Sequence, residues 1–167
     1  PSASEAANGI NNIDFNGAAK HPFVTLVGIP HQESTVGQAL MNLAQTAERE
    51  DEFGEALQYL SEYIARNPDS PMVPEILLRQ GYLYRLMGQP GLATEKLYET
   101  MTDAIRLRSR NLLKYRRVTL MAQAQIADLH YTDLRQYDDA IKYYGQLLND
   151  PDEELHLENT KYKLIRC

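Results

Sequence analysis

His21, His31, His130 and His156 are the only imidazoles in the chain, and no two lie four residues apart. That spacing would place two metal ligands on one helical face. His130 is expected to serve packing or surface, not a metal. The one cysteine, Cys167, leaves no internal disulfide and no cysteine-rich zinc site. Asp150, Asp152, Glu153 and Glu154 crowd around Pro151, but the turn glycine and spaced ligands of a calcium loop are missing. Acids there suit a helix start, where they accept backbone N–H bonds and meet the positive dipole end. Asp138 and Asp139 are adjacent, so on a helix they diverge and cannot share one substrate. No glycine-rich phosphate loop and no nucleophile elbow is present. The expectation is a non-enzyme with no catalytic residue, no metal and no cofactor.

One charge cluster remains. Arg106, Arg108, Arg110, Lys114, Arg116 and Arg117 put six cations within twelve residues. Such a run suits RNA, anionic lipid or an acidic partner, or else a solvated turn between two long helices. The turn is favoured, because Tyr115 is the only aromatic at hand for stacking bases. The net charge of -6 also points away from nucleic acid as the partner of the whole molecule.

The elements that would position these residues are helical. The 167 residues suit one domain, with 43% apolar and 24% charged residues as in an ordinary soluble protein. No apolar run reaches the roughly 20 residues of a membrane span. Pro1 is not an initiator, so the chain is expected to be processed or truncated, and any signal peptide or lipid-bearing cysteine upstream could have been removed. Residues 1–33 read as a flexible or extended lead-in, with apolar 23–30 lying along the first helices. From Ser34 or Thr35, as a cap, apolar residues recur at spacings of three and four. Helices are expected to about Glu50, from Phe53 to Asn67, and over 72–87, 91–108, 112–134 and 137–148. A seventh starts near Asp152. The cluster Asn67-Pro68-Asp69-Ser70-Pro71 is the strongest breaker.

The helices pair, and the pairs resemble each other. Phe53-Gly-Glu-Ala56-Leu-Gln-Tyr-Leu60 matches Tyr137-Asp-Asp-Ala140-Ile-Lys-Tyr-Tyr144 in order of residue type, and Pro90-Gly-Leu-Ala93-Thr-Glu-Lys-Leu97 falls between them. This resembles the tetratricopeptide repeat. Leu40, Leu43, Ala44, Ala56, Leu60 and Pro68 carry the likeness in the first pair. Leu77, Gly81, Tyr84, Ala93 and Leu97 carry it in the second, and Ala124, Ala127, Tyr131, Ala140 and Tyr144 in the third. The resemblance implies an all-α fold, a right-handed α-α superhelix of about three helix pairs plus a C-terminal capping helix. The repeats would fall at about 36–70, 73–110 and 112–151, with a partial one at 152–167, in one domain over 34–167. The anchor alanines stand 37 and then 47 residues apart, so added length is placed around residues 98–118. Such elongated repeats, and the segment from Asn67 to Tyr84, resemble the bacterial outer-membrane assembly lipoproteins (BamD-like) and the periplasmic Tol–Pal-associated repeat proteins.

The resemblance implies a scaffold that binds a peptide or helix of another protein on the concave face of the first helices. In this register that face would carry Met41, Gln45, Glu48, Arg49, Tyr82, Arg85, Leu86, Gln125 and Leu129. The carboxylate clamp of chaperone-tail repeat domains is not matched, since its positions hold Met41, Gln45, Arg79, Ala122 and Ile126. The expected setting is the periplasm or envelope of a bacterium, with a cytoplasmic one left open, and a removed N-terminal segment could supply a membrane anchor. Two alternatives stand beside it: a repeat piece of a larger regulatory or enzymatic protein, and a module using the basic run for RNA or lipid.

Overall fold

The computed structural model describes residues 35–149, which form six helices and no strand. They are α1 (Thr35–Arg49), α2 (Phe53–Arg66), α3 (Val73–Leu86), α4 (Pro90–Leu107), α5 (Leu112–Thr132) and α6 (Tyr137–Leu148). The lead-in, the extended segment at 23–30 and the seventh helix lie outside the described residues. Backbone contacts divide the chain into two compact units at Ser70 and Pro71. The division falls inside the breaker cluster. There the Asn67 N–H closes α2 on the Tyr63 and Ile64 carbonyls, and its side-chain amide donates to the Tyr63 carbonyl at 3.0 Å. Pro68 and Pro71 have no N–H with which to continue the helix.

In the first unit α1 packs on α2. Leu40, Met41, Ala44 and Ala47 meet the buried stripe Ala56, Leu57, Leu60 and Tyr63. In the second unit α4 packs on both α3 and α5, and α6 packs on α5. The Tyr115 hydroxyl donates to the Pro71 carbonyl at 3.1 Å, and Lys114 Nζ lies 3.1 Å from Glu75 Oε2. At the other ends Arg85 Nε lies 2.9 Å from Asp133 Oδ2. Residues near the start of α3 thus meet residues near the start of α5, and likewise near their finishes: the two first helices run parallel, with α4 packed against both.

Three features recur at matching register. Ala56, Ala93 and Ala140 are fully buried, and the large residue four later (Leu60, Leu97, Tyr144) is buried too. Opposite them sit small residues, Ala44, Gly81 and Ala127. At Gly81 the approach is closest: a Cβ there would lie 3.0 Å from Leu97 Cδ2 and 3.3 Å from the Ala93 carbonyl oxygen. The third feature is a left-handed residue in each hairpin turn, Asp51 (φ 60), Gly88 (φ 69) and Arg135 (φ 55). Each stands five residues before its anchor alanine. It turns the chain so that the next N–H reaches back into the last helical turn: Glu52 to Ala47, Gln89 to Tyr84 and Gln136 to His130. The third turn is one residue wider.

The added length is in α4 and α5, with 18 and 21 residues where α2 and α3 have 14 each. Aligned on the anchor alanines, the end of α2 corresponds to Asp103 and the start of α3 to Leu120. Residues 104–119 therefore stand where the neighbouring pair has only 67–72, which lengthens this hairpin by ten residues. Asn111 caps the far side of its turn, accepting the Lys114 N–H at 3.1 Å.

Candidate functional site

The expected groove residues lie on α1, α3 and α5. In the first unit Met41 and Glu48 are buried, Gln45 is half-buried and Arg49 is exposed. In the second, Leu129 is completely buried among the core residues of α5. Met41, Glu48 and Leu129 therefore do not present a surface to a ligand, contrary to their assignment to an exposed face. Met41 and Leu129 fall one turn from the other stripe residues, and their apolar side chains gain more from burial than from a wet groove.

Tyr82, Arg85 and Gln125 are half-buried and Leu86 is exposed. Arg85 is not an idle cation. Its Nε donates to Asp133 Oδ2 at 2.9 Å, Nη1 to Gln125 Oε1 at 3.2 Å and Nη2 to Thr132 Oγ1 at 2.7 Å. The guanidinium thus spans three side chains on α5 or just past it, close to that helix's negative dipole end. It ties α3 to α5 and brings Gln125 beside it. Within this unit Leu86 and Tyr82 flank the pair on α3.

The basic run does not form one patch. Lys114 turns inward and pairs with buried Glu75. Burial pushes the Glu75 carboxyl up from its ordinary range, and the Lys114 charge and hydrogen bond oppose that shift. Arg116 and Arg117 are half-buried and engaged in contacts of their own. Arg106, Arg108 and Arg110 are exposed, with Arg106 3.2 Å from Asp103. Ile105, Leu112 and Leu113 stand exposed among them. Sequence reasoning missed these three, because the periodic pattern assigned apolar residues to the core. The signal was present in the added length around residues 98–118, which holds all three.

His130 is buried, with Nδ1 2.8 Å from Gln136 Oε1 and its ring stacked on Tyr143. It packs α5 against α6. Tyr143 also meets the Tyr98 hydroxyl, and its own phenol is pushed up to about 12, by burial first and then by that bond. Among the described residues no group of three or more His, Cys, Asp or Glu side chains is placed to hold a metal ion. Nor is any described helix long and apolar enough to cross a membrane.

Residues 38–70 match the family model of the tetratricopeptide repeat, which covers most of α1, all of α2 and the breaker cluster. No curated protein and no solved structure matches the chain. With the recurrent anchors and turns, the match fits an all-α, tetratricopeptide-like helical repeat fold. Repeats of this type generally mediate protein–protein interaction and are typically non-catalytic scaffolds.

Proposed function

We propose that the chain is a non-catalytic scaffold that binds a peptide or helix of another protein on the open side of its first helices. The observation behind this reading is the strip on α3 and α5 in the second unit. Exposed Leu86 and half-buried Tyr82 lie beside Arg85 and Gln125, whose positions are fixed by hydrogen bonds. A pre-ordered polar pair beside an aromatic and an aliphatic side chain suits a partner that inserts apolar anchors and pairs its backbone at the rim. In the first unit Gln45 and Arg49 are the remaining candidates on α1. The proposed setting is a bacterial envelope, by the resemblance of the elongated repeats and of the Asn67–Tyr84 segment to outer-membrane assembly and Tol–Pal-associated proteins. Anchoring through an upstream segment belongs to the same proposal.

A photocrosslinking residue at Leu86 tests the reading in extracts of the source cells. It should capture one defined polypeptide that the same residue at Ile141, on α6, does not. Against that purified partner, Leu86→Asp should weaken binding at least about tenfold with unchanged helicity, as loss of a buried anchor does. Unchanged affinity would rule out this strip as the binding surface.

A further inference from the structure

The lengthened hairpin carries its own chemistry. Residues 104–119 contain all six cations of the basic run and no acid, in a chain whose net charge is -6. Lys114, Tyr115, Arg116 and Arg117 are turned into contacts with the rest of the molecule. The others form the end of the α4–α5 hairpin. Ile105 is 60% exposed, Leu112 53% and Leu113 77%, and they flank exposed Arg106, Arg108 and Arg110 on either side in the sequence. Arg108 and Arg110 make no ion pair among the described residues. The turn is held in shape by the N–H of Arg108 bonding to Ile105, that of Arg110 to Leu107, and the Asn111 cap. Leu107 anchors it from within, fully buried.

We propose that this hairpin tip docks on an anionic lipid bilayer, with Leu112, Leu113 and Ile105 entering the interface and Arg106, Arg108 and Arg110 meeting lipid phosphates. Three observations favour a bilayer over another occupant. The tip is the end of a helical hairpin and not a groove, so it matches a broad plane better than a peptide. Large aliphatic side chains on both sides of a run of arginines are what an interfacial element needs, because the first gain from leaving water and the second from the negative surface. Nucleic acid would use the arginines but would leave the leucines in water. The second unit is also less cationic at its other end. There Asp133 is paired with Arg85, and exposed Arg135 is outnumbered by exposed Asp138 and Asp139. The helix between the two ends has 21 residues, about 31 Å at the usual rise, so the two ends do not cancel.

The chain has no tryptophan, which supplies the assay. Leu113→Trp places a single reporter at the tip, and Tyr137→Trp places one at the acidic end as a control. With phosphatidylglycerol-rich vesicles the tip reporter should shift to the blue and be quenched by brominated acyl chains, while the control stays unchanged. Pure phosphatidylcholine should move neither. In vesicle sedimentation, each Arg→Gln change at 106, 108 or 110 should lower partitioning about fivefold. Leu112→Ser with Leu113→Ser should abolish the binding that survives raised salt. All five positions are exposed, and circular dichroism checks that the fold is kept. The proposal is overturned if the tip reporter is silent on anionic vesicles. It is equally overturned if binding is indifferent to the leucine pair, or if the tip binds single-stranded RNA more tightly than vesicles.

Discussion

Replacing Gly81 with alanine sets two effects of known sign against each other. Alanine is better than glycine inside a helix by about 1 kcal/mol. At Gly81 the new methyl would stand 3.0 Å from both Leu97 Cγ and Cδ2, and 3.3 Å from the Ala93 carbonyl oxygen. Carbon atoms prefer about 3.5 to 4.0 Å, so α3 and α4 must separate or Leu97 must leave its rotamer. Leu97 is only 1% exposed and has nowhere to go. Overpacking of this kind costs about 1 to 3 kcal/mol, so Gly81→Ala should come out neutral to destabilising by about 2 kcal/mol. Gly145→Ala is the internal control. Gly145 lies inside α6 of the same unit, and a Cβ there meets nothing within 4 Å. It should be stabilised by about 1 kcal/mol, the propensity effect alone. Urea titrations followed by circular dichroism measure both, with the slope checked because repeat arrays can unfold in steps. If the two substitutions stabilise equally, the close crossing at Gly81 does not exist, and the packing register of the middle pair is wrong.

The turns give a second test. Arg135→Gly should stabilise by about 1 kcal/mol and Asp51→Gly by less, because aspartate tolerates the left-handed region better than arginine; Gly88→Ala should lose about 1 kcal/mol. Thermal melts of the three variants decide it, and equal shifts of one sign would contradict the assigned turns. Asn111→Ala removes the cap of α5 and should cost about 1 kcal/mol in the same assay. Arg85→Ala should lower stability by about 1 kcal/mol, after discounting its partly exposed ion pair, because it unties α3 from α5. A melt unchanged by that substitution would show the three hydrogen bonds to be dispensable. Glu75 predicts a pH dependence. Its carboxyl is raised in the folded state, so the fold holds the proton more tightly than the unfolded chain does. Its contribution is greatest below the ordinary carboxylate range and is lost as pH climbs through the folded value. Glu75→Gln should flatten that part of the stability–pH curve, and superimposable curves for the two proteins would remove the claim.

The six described helices, their pairing and their boundaries were readable because each signal is local. Apolar spacing, the Asn67–Pro71 cluster and the prolines at 74 and 90 all act within a few residues of the structure they specify. The anchor alanines were readable too, since only a small side chain suits a helix crossing. Two turns were not. Asp51 and Arg135 adopt the conformation glycine takes at Gly88, and nothing in an aspartate or an arginine announces a positive φ. The candidate surface was legible by position but not by occupancy. Periodicity places Met41, Glu48 and Leu129 on a first helix, yet which side of the helix is covered depends on neighbours far along the chain. Arg85 shows the same limit: its partners lie 40 to 48 residues away.

Arg85 and the hairpin tip decide where binding chemistry can lie in the second unit. A repeat fold has few side chains that packing does not claim, and here packing claims several that looked available. Arg85 is held by three bonds, Lys114 by Glu75, and Leu129 by the core. Several apolar side chains stay exposed, Leu86, Met87, Leu92, Tyr98, Tyr137 and Ile141 among them, and the tip residues Ile105, Leu112 and Leu113 are the most exposed. Two of these places bear on binding, Leu86 at the end of α3 and the tip. These two places differ in kind. Leu86 ends a helix that the repeat requires, so its exposure follows from where α3 stops. The tip belongs to length that the repeat does not require, and keeping Leu112 and Leu113 in water gives up about 1.5 to 3 kcal/mol for each side chain that could have been buried. Stability of the described units does not account for that sacrifice, and a surface that takes up both leucines and the three arginines does. The two surfaces are therefore separable by mutation: Leu86→Asp should leave vesicle binding intact, and the leucine pair at the tip should leave partner binding intact. Loss of both activities in either variant would mean that a single surface, or the fold itself, had been damaged.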